Sequence, residues 1–142
     1  MEQIFYKNQQ LAIIIRSNYK KDGVEFFTPN DYSQQLAYMS HAKGRKIDAH
    51  VHNEVKRDVR LTQEVLVIRR GKLRIDFYTQ EQLYVESRII QAGDVVLLAS
   101  GGHGFEVLED LEMIEIKQGP YAGDEDKTRF AHVEDNKVNI KL

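Results

Sequence analysis

The sequence predicts one all-β domain, built as a small antiparallel barrel or sandwich. Short runs rich in β-branched and aromatic residues, such as LAIIIR and VEFFT, recur at spacings of about 8–12 residues. Gly, Asp or Gln-Glu turns separate these runs. No repeat, low-complexity tract or linker divides the 142-residue chain, which is long enough to bury one core. We therefore expect a single domain spanning residues 1–142.

The strands can be assigned in chain order from these runs and turns. Residues 1–10 are polar and predict a lead-in without regular structure. Strands are predicted over residues 11–16, 24–28, 36–39, 47–52, 64–69, 73–78, 84–90, 94–99, 104–108 and 111–117. A helix over residues 31–38 is an alternative to the third strand. Residues 53–62 are charged, which predicts a loop or hairpin insertion, and the charged tail, residues 119–142, either wraps the core (residues 11–118) or frays.

Composition limits the classes of partner. The chain has 20 basic and 22 acidic residues, a net charge of −2, and these charges are distributed along its length. This balance predicts neither a nucleic-acid partner nor a membrane surface. The start, MEQIFYKNQQ, lacks the pattern of a signal peptide, and no apolar run approaches the ~20 residues that span a bilayer. We therefore expect a cytoplasmic protein.

Three histidines and a glutamate predict a metal site. His50 and His52 are two residues apart, so in a strand their imidazoles project from the same face. Glu64 opens the apolar run VLVI, and His103 lies in a glycine-rich stretch further on. Cysteine is absent, which excludes thiolate ligands and disulfides. Imidazole and carboxylate suit Fe, Mn, Ni, Co or Zn, whereas Mg and Ca prefer all-oxygen sets.

The spacing of these residues resembles the first motif of the cupin superfamily. Gly44, five residues, His50-x-His52, then Glu64, six residues and Gly71 follow its order. Eleven residues separate His52 from Glu64, more than the family pattern has, so a loop insertion is implied there. A competing carboxylate ligand is Glu54, which lies two residues from His52 on the same strand face.

The later glycine-rich stretch is similar to the second cupin motif. Gly93, Gly101 and His103 fit it, whereas Ala99 and Val107 stand where the family has Pro and Asn. The resemblance covers roughly the middle half of the chain. It implies a jelly-roll-like double-stranded β-helix that holds a divalent transition metal. The implied metal ligands are His50, His52, Glu64 and His103.

Strand parity extends the predicted site. Phe105 shares the face of His103, and an apolar lining is typical of a small barrel interior. In the last strand Glu115 and Lys117 share one face, and Ile114 and Ile116 share the other. If the isoleucines face outward, Glu115 and Lys117 point into the barrel and are candidates for substrate contact. The alternative is that both charged residues face water and the isoleucines belong to the core.

The cupin resemblance leaves several functions open. The four-ligand set favours a metal-dependent enzyme acting on a small polar molecule, sugar-like or an organic acid, although no catalytic residue can be assigned. One alternative is a non-catalytic cupin that binds a small molecule or metal. Another is a metal-independent sugar-nucleotide isomerase or epimerase with a histidine base. The tail stretch KQGPYAGDEDK is similar to small cupins of bacterial surface-polysaccharide pathways.

Apolar residues on both strand faces predict self-association. Val65 and Val67 lie opposite Leu66 and Ile68 in the same strand, so one pair is expected outside the barrel. Exposed apolar patches commonly form interfaces, and cupins often pair through their sheets with two-fold symmetry. The sequence therefore predicts a homodimer.

Overall fold

The structure, a computed structural model, describes all 142 residues and confirms the all-β prediction. Two short 3-10 turns, Gly123–Asp126 and Asp135–Lys137, are the only helical elements, and neither could cross a membrane. The strands are β1 Glu2–Tyr6, β2 Gln9–Ile15, β3 Gly23–Phe26, β4 Ala37–Ser40, β5 Glu64–Tyr78, β6 Tyr84–Gln91, β7 Val95–Leu98 and β8 Gly102–Lys117.

Six of the strands form one antiparallel sheet that curls into a half-barrel. Strands β1, β2, β7, β5 and β6 are neighbours in that order, and β8 pairs with β5 along its whole length. The first part of β5 also pairs with β7, and its second part pairs with β6. The long β5–β8 ribbon therefore belongs to both halves of the sheet. Strands β3 and β4 form a separate hairpin.

The ribbon bends at Gly71. The prediction of four separate strands here was wrong, because residues 64–78 and 102–117 each form one continuous strand with register shifts near the bend. Gly71 has a φ of +82°, and a Cβ at this position would lie 2.0 Å from the carbonyl oxygen of Asp110. Only glycine combines that dihedral with that close approach. The bend turns the two ends of the ribbon toward the same concave space.

The sheet buries apolar side chains on both faces. The larger cluster includes Leu66, Ile68, Leu73, Ile75 and Phe77, which are almost completely buried. The other face carries a smaller cluster of Ile13, Ile15, Phe27, Val65 and Leu97, against which side chains of the β3–β4 hairpin pack. The expectation that one pair of this strand, Val65 and Val67 or Leu66 and Ile68, lies outside the barrel was therefore wrong, because three of these residues are buried and Val67 is half-buried. Ile114 and Ile116 of β8 are instead the exposed pair, at 46% and 49% exposure.

Three further predictions of local structure were wrong. Residues 1–10 contain β1, because Ile4 is buried and the strand pairs with β2. No helix forms over residues 31–38, where Gln35 instead holds the loop by hydrogen bonds to the carbonyls of Pro29 and Tyr32. Residues 47–52 form no strand, because residues 46–62 make no backbone–backbone hydrogen bond. The expected loop over residues 53–62 is confirmed.

The tail wraps the domain. Phe130 packs edge-on against Tyr78, and the backbone N–H of Val133 donates to the Tyr78 hydroxyl at 3.0 Å. Further on, the backbone of Ser87 in β6 pairs with Asn139 and Lys141. Of the two alternatives for residues 119–142, the structure therefore shows the wrapped one.

Candidate functional site

Two of the predicted ligands, Glu64 and His103, contact each other in the structure. The imidazole Nε2 of His103 lies 3.2 Å from the carboxylate Oε2 of Glu64. The side chain of Glu64 is 6% exposed, and that of His103 is 28% exposed. A buried carboxylate requires such a partner, because an unpaired charge away from water is costly.

The bent ribbon explains this contact. Glu64 opens β5 and lies opposite Lys117 at the end of β8, whereas His103 near the start of β8 lies opposite Phe77 at the end of β5. The two residues thus belong to opposite ends of the same ribbon. The bend at Gly71 brings those ends together. In a straight ribbon, Glu64 and His103 would lie at opposite ends and could not contact each other.

The surroundings of Glu64 favour its ionised form. The hydrogen-bonding contact with His103 lowers the pKa of Glu64 below its usual value. Burial acts in the opposite direction, but the positive charges of Lys127 and Lys117 add to the lowering. The Nζ of Lys127 lies 3.8 Å from Oε1, the carboxylate oxygen that faces away from His103. The site is therefore an anionic carboxylate with cationic neighbours.

The pair lies in a cavity of about 700 Å³. Binding sites for small molecules commonly have volumes of about 300–1,000 Å³. Phe105 also lines the cavity, with its ring 5.2 Å from that of His103. Tyr78 and Phe130 add aromatic surface, and the tail residues 125–132 form one wall. The cavity is large enough for a small polar molecule beside Glu64 and His103.

The other two predicted ligands lie elsewhere. The rings of His50 and His52 are adjacent, 5.2 Å apart, but both residues are exposed on the segment without strand structure. The Nδ1 of His50 contacts only the carbonyl of Asp48 in its own segment, at 3.0 Å. No group of three or more potential ligands forms in the structure. The predicted set is thus divided into two pairs.

The remaining predicted residues take different positions. Glu54, the competing carboxylate, is exposed on the same segment as His50. Glu115 and Lys117 contact each other at 3.5 Å but are not among the residues that line the cavity. Partial desolvation of Lys117 opposes its protonation, yet the carboxylates of Glu115 and Glu64 outweigh this and raise its pKa. Lys117 therefore acts on Glu64 through its charge.

Two features of the site were missed in the sequence. Lys127 belongs to the stretch KQGPYAGDEDK, whose position near Glu64 is not encoded in any local periodicity.

Residues 46–61 alternate between polar even positions and mainly apolar odd ones, which is the pattern of a strand with one buried face. The apolar positions are Ile47, Ala49, Val51, Val55, Val59 and Leu61. The large ones among them are exposed, and Val51 reaches 85%.

The glycines on either side of His103 have a structural role. A Cβ on Gly102 would lie 3.0 Å from the ring of Phe130, and a Cβ on Gly104 would lie 2.9 Å from the ring of His132. The absent side chains leave space in which these two tail residues pack against β8. The tail is therefore seated on the strand that carries His103.

Comparison with protein-family models, with curated proteins and with solved structures gave no match.

Proposed function

We propose that this chain is a metal-binding protein of the cupin type that acts on a small polar molecule. In this proposal His50 and His52 join Glu64 and His103 as ligands of a divalent transition metal. The observation that carries it is the 3.2 Å contact between His103 and Glu64, two predicted ligands from opposite ends of one ribbon. Their nitrogen and oxygen donors suit Fe, Mn, Ni, Co or Zn.

The histidine pair reaches this site if residues 46–53 dock on the free edge of β8. Strand β8 pairs with β5 alone, so its other edge has no strand partner. Residues 46–53 have backbone N–H and C=O groups without backbone partners, which could pair with this edge. Their polar and apolar residues alternate, as expected for a strand with one buried face. Docking beside His103 gives β8 a strand neighbour on its second edge. The added strand would extend the sheet toward the closed form of a double-stranded β-helix. His50 and His52, on its polar face, then share the concave side with His103.

The residues of the cavity have separable roles in this proposal. A bound divalent metal supplies Lewis-acid polarisation of a substrate oxygen. Glu64 and the three histidines would hold it, and Phe105 with Phe130 would give the bound molecule an apolar wall. The contact with His103, together with the charges of Lys127 and Lys117, lowers the pKa of Glu64 and favours the ionised form that a ligand requires.

A metal-independent acid–base enzyme is a second candidate, because the Glu64–His103 pair also has the form of an acid–base dyad. In that case His103 takes a proton from the substrate and returns it, while Glu64 orients the imidazole and compensates its charge. Sugar-nucleotide isomerisation or epimerisation is a reaction of this class. A non-catalytic binder would use the same cavity without turnover.

Hydrogen exchange tests the docking step. We expect the amides of residues 46–53 to exchange rapidly in chelator-treated protein and to gain protection when Zn²⁺, Ni²⁺ or Fe²⁺ is added. The His50→Ala/His52→Ala variant should show no such gain, while the exposed segment control Glu54→Gln should behave like the parent chain. Unchanged exchange of residues 46–53 at saturating metal would contradict the proposal.

A turnover experiment separates the three functions. Iron-loaded and chelated protein are incubated with a metabolite pool, with and without oxygen, and consumption is followed by mass spectrometry. Loss of a compound only in the metal-loaded samples supports the metal-dependent enzyme. Equal loss in the chelated samples supports the acid–base dyad. Thermal stabilisation by a compound that is never consumed supports the binder.

A further inference from the structure

Residues 41–62 form an exposed arm between β4 and β5. All 22 residues of the arm are exposed, although it carries several large apolar side chains. These are Ile47, Val51, Val55, Val59 and Leu61. Residues 46–62 also make no backbone–backbone hydrogen bond. An arm with exposed apolar side chains and free backbone groups has the properties of a strand that lacks its neighbour.

The free edge of β8 is the matching surface. Strand β8 pairs with β5 alone, and four of its large apolar side chains are exposed. These are Val107, Leu108, Ile114 and Ile116. An arm that adds to this edge gives both strands backbone partners. It also brings apolar side chains of the arm next to those of β8, because neighbouring strands contact each other through side chains on the same face.

The arm and β8 carry opposite charge. The arm has six basic and three acidic residues, a net charge of +3, whereas β8 has one basic and five acidic residues, a net charge of −4. The whole β5–β8 ribbon, with five basic and seven acidic residues, still carries a net charge of −2. Arg60 is the only basic residue of the arm that forms an ion pair, with Asp58 of the arm itself. Electrostatic complementarity therefore favours contact between the arm and β8.

The way the arm joins β5 favours the β8 edge of a second copy. The backbone N–H of Gln63 donates to the side chain of Gln118, and the hydroxyl of Thr62 donates to Asp126. The full arm could reach its own β8 only by turning back at these two held residues. A turn further back would use residues 54–61 as a loop and leave their apolar side chains in water. Docking on a second copy uses the whole alternating length of the arm.

A two-fold dimer satisfies both surfaces at once. Each arm covers the β8 edge of the other copy, so neither the arm nor that edge remains unpaired and the assembly closes. Each copy contributes the 16 residues of β8 and the 22 residues of the arm, whereas stable interfaces typically use roughly 20–30 residues a side. The exchanged arms are therefore large enough to hold a dimer together.

We propose that the arm exchanges between two copies of the chain and docks on the β8 edge of the other copy. The inference rests on the proposed function for the docking of residues 46–53 beside His103, and it adds that the docked segment comes from a second copy. His50 and His52 of one copy then stand at the cavity that holds Glu64 and His103 of the other. The exchange itself requires no metal, because it uses backbone, apolar and charged groups of the arm and β8.

Cross-linking of isotope-mixed protein tests the exchange. Equal amounts of unlabelled and isotope-labelled full-length chain are unfolded together in urea, refolded, and treated with a carbodiimide, which joins lysines to carboxylates. The arm offers Lys43, Lys46 and Lys56, and β8 offers five carboxylates, so no single register has to be assumed. The coupling is irreversible and accumulates even on arms that dock transiently, so chelator-treated and Zn²⁺-loaded samples are both measured. We expect peptides that join the arm to β8 and combine light with heavy chains as often as like with like.

The disruptive variant is Val51→Asp/Val55→Asp, which places two charges in the docked arm. Both valines are exposed in the single chain, so the domain should still fold. We expect the links between the arm and β8 to fall about tenfold or more, because an unpaired charge in an interface is costly. The control Val24→Asp, on the exposed side of the β3–β4 hairpin, should leave these links unchanged.

Links within one chain only would overturn the exchange and leave the docking step of the proposed function standing. No link between the arm and β8 in either sample, or parent-level links in the disruptive variant, would also overturn the exchange. Metal content is measured separately on the same preparations. Light–heavy links in a chain that binds no metal would contradict the metal site and support the exchange.

Discussion

Glu64 and His103 contact each other at 3.2 Å although one opens β5 and the other lies at the far end of the paired β8. The register places Glu64 opposite Lys117 and His103 opposite Phe77, so the contact exists only because the ribbon folds back at Gly71. The chemistry of the site therefore depends on the bend as much as on the two side chains.

The choice between Glu64 and Glu54 as the carboxylate ligand can be tested directly. Glu64 contacts His103, whereas Glu54 is exposed to solvent. We predict that Glu64→Gln weakens metal affinity by about tenfold or more, which is about 1.4 kcal/mol or more. Glu54→Gln should change it little. Calorimetric metal titrations of both variants measure this, and the reverse ranking would identify Glu54 as the ligand.

Replacement of Gly104 should displace the tail. A Cβ here would meet the ring of His132 at 2.9 Å, and His132 is held near by the bond from Val133 to Tyr78. We predict that Gly104→Val lowers the free energy of unfolding by about 1–3 kcal/mol, because a side chain is forced into an occupied space. Gly119→Val, where a Cβ meets nothing within 4 Å, is the control. Equal urea midpoints for the two variants would show that the tail does not pack there.

The C-terminal end of the tail should detach from β6 at acidic pH. Burial opposes ionisation of Glu86, but its hydrogen bonds with Lys141 and Arg88 outweigh this and lower its pKa. A lowered folded pKa means that the stabilisation is present above the unfolded value of about 4.3 and is lost as the pH falls below it.

We therefore predict that Glu86→Gln costs about 1 kcal/mol at pH 7 and clearly less at pH 3, because the stabilisation is lost as the pH falls toward and through the lowered folded pKa. Urea unfolding at both pH values measures the difference, with the exposed Glu81→Gln as the control. A cost for Glu86→Gln that is the same at pH 3 would show that its charge does not hold Lys141.

Self-association remains a prediction, now located on β8. Ile114 and Ile116 are exposed on the outer face of this strand, whereas Met113 packs against the core. We predict a homodimer that Ile114→Lys/Ile116→Lys converts to a monomer, because burying two unpaired lysines in an interface is costly. Light scattering at micromolar concentration measures this, with the exposed turn variant Leu83→Lys as the control. A monomeric parent chain would contradict it.

The positions of the strands from Glu64 onward could be predicted because their apolar and β-branched residues cluster in short local runs between turn residues, although the continuity of β5 and β8 could not. The pairing of Glu64 with His103 could not be derived from that periodicity, since it requires the bend at Gly71 and a register over the whole ribbon. Strand β1 was missed because Ile4 is its only fully buried residue, so its pattern is weak.

The segment around His50 has a strand-like sequence pattern but forms no strand. Its alternation over residues 46–61 is typical of a strand, but a strand needs a partner for its backbone groups, and none is paired with it here. Lys127 was missed for a third reason. Its approach to Glu64 depends on how the tail wraps around Tyr78 and β8, a long-range packing that no sequence period encodes.

Metal content measured on the parent chain and on His50→Ala/His52→Ala tests the central claim most directly. Both proteins are purified without chelator, and bound metal is measured by elemental analysis alongside the protein concentration. The proposal predicts close to one transition-metal ion per parent chain and almost none in the double variant, with the fold of both verified by circular dichroism. Full occupancy in the double variant, or a parent chain that holds no metal even after loading, would contradict it.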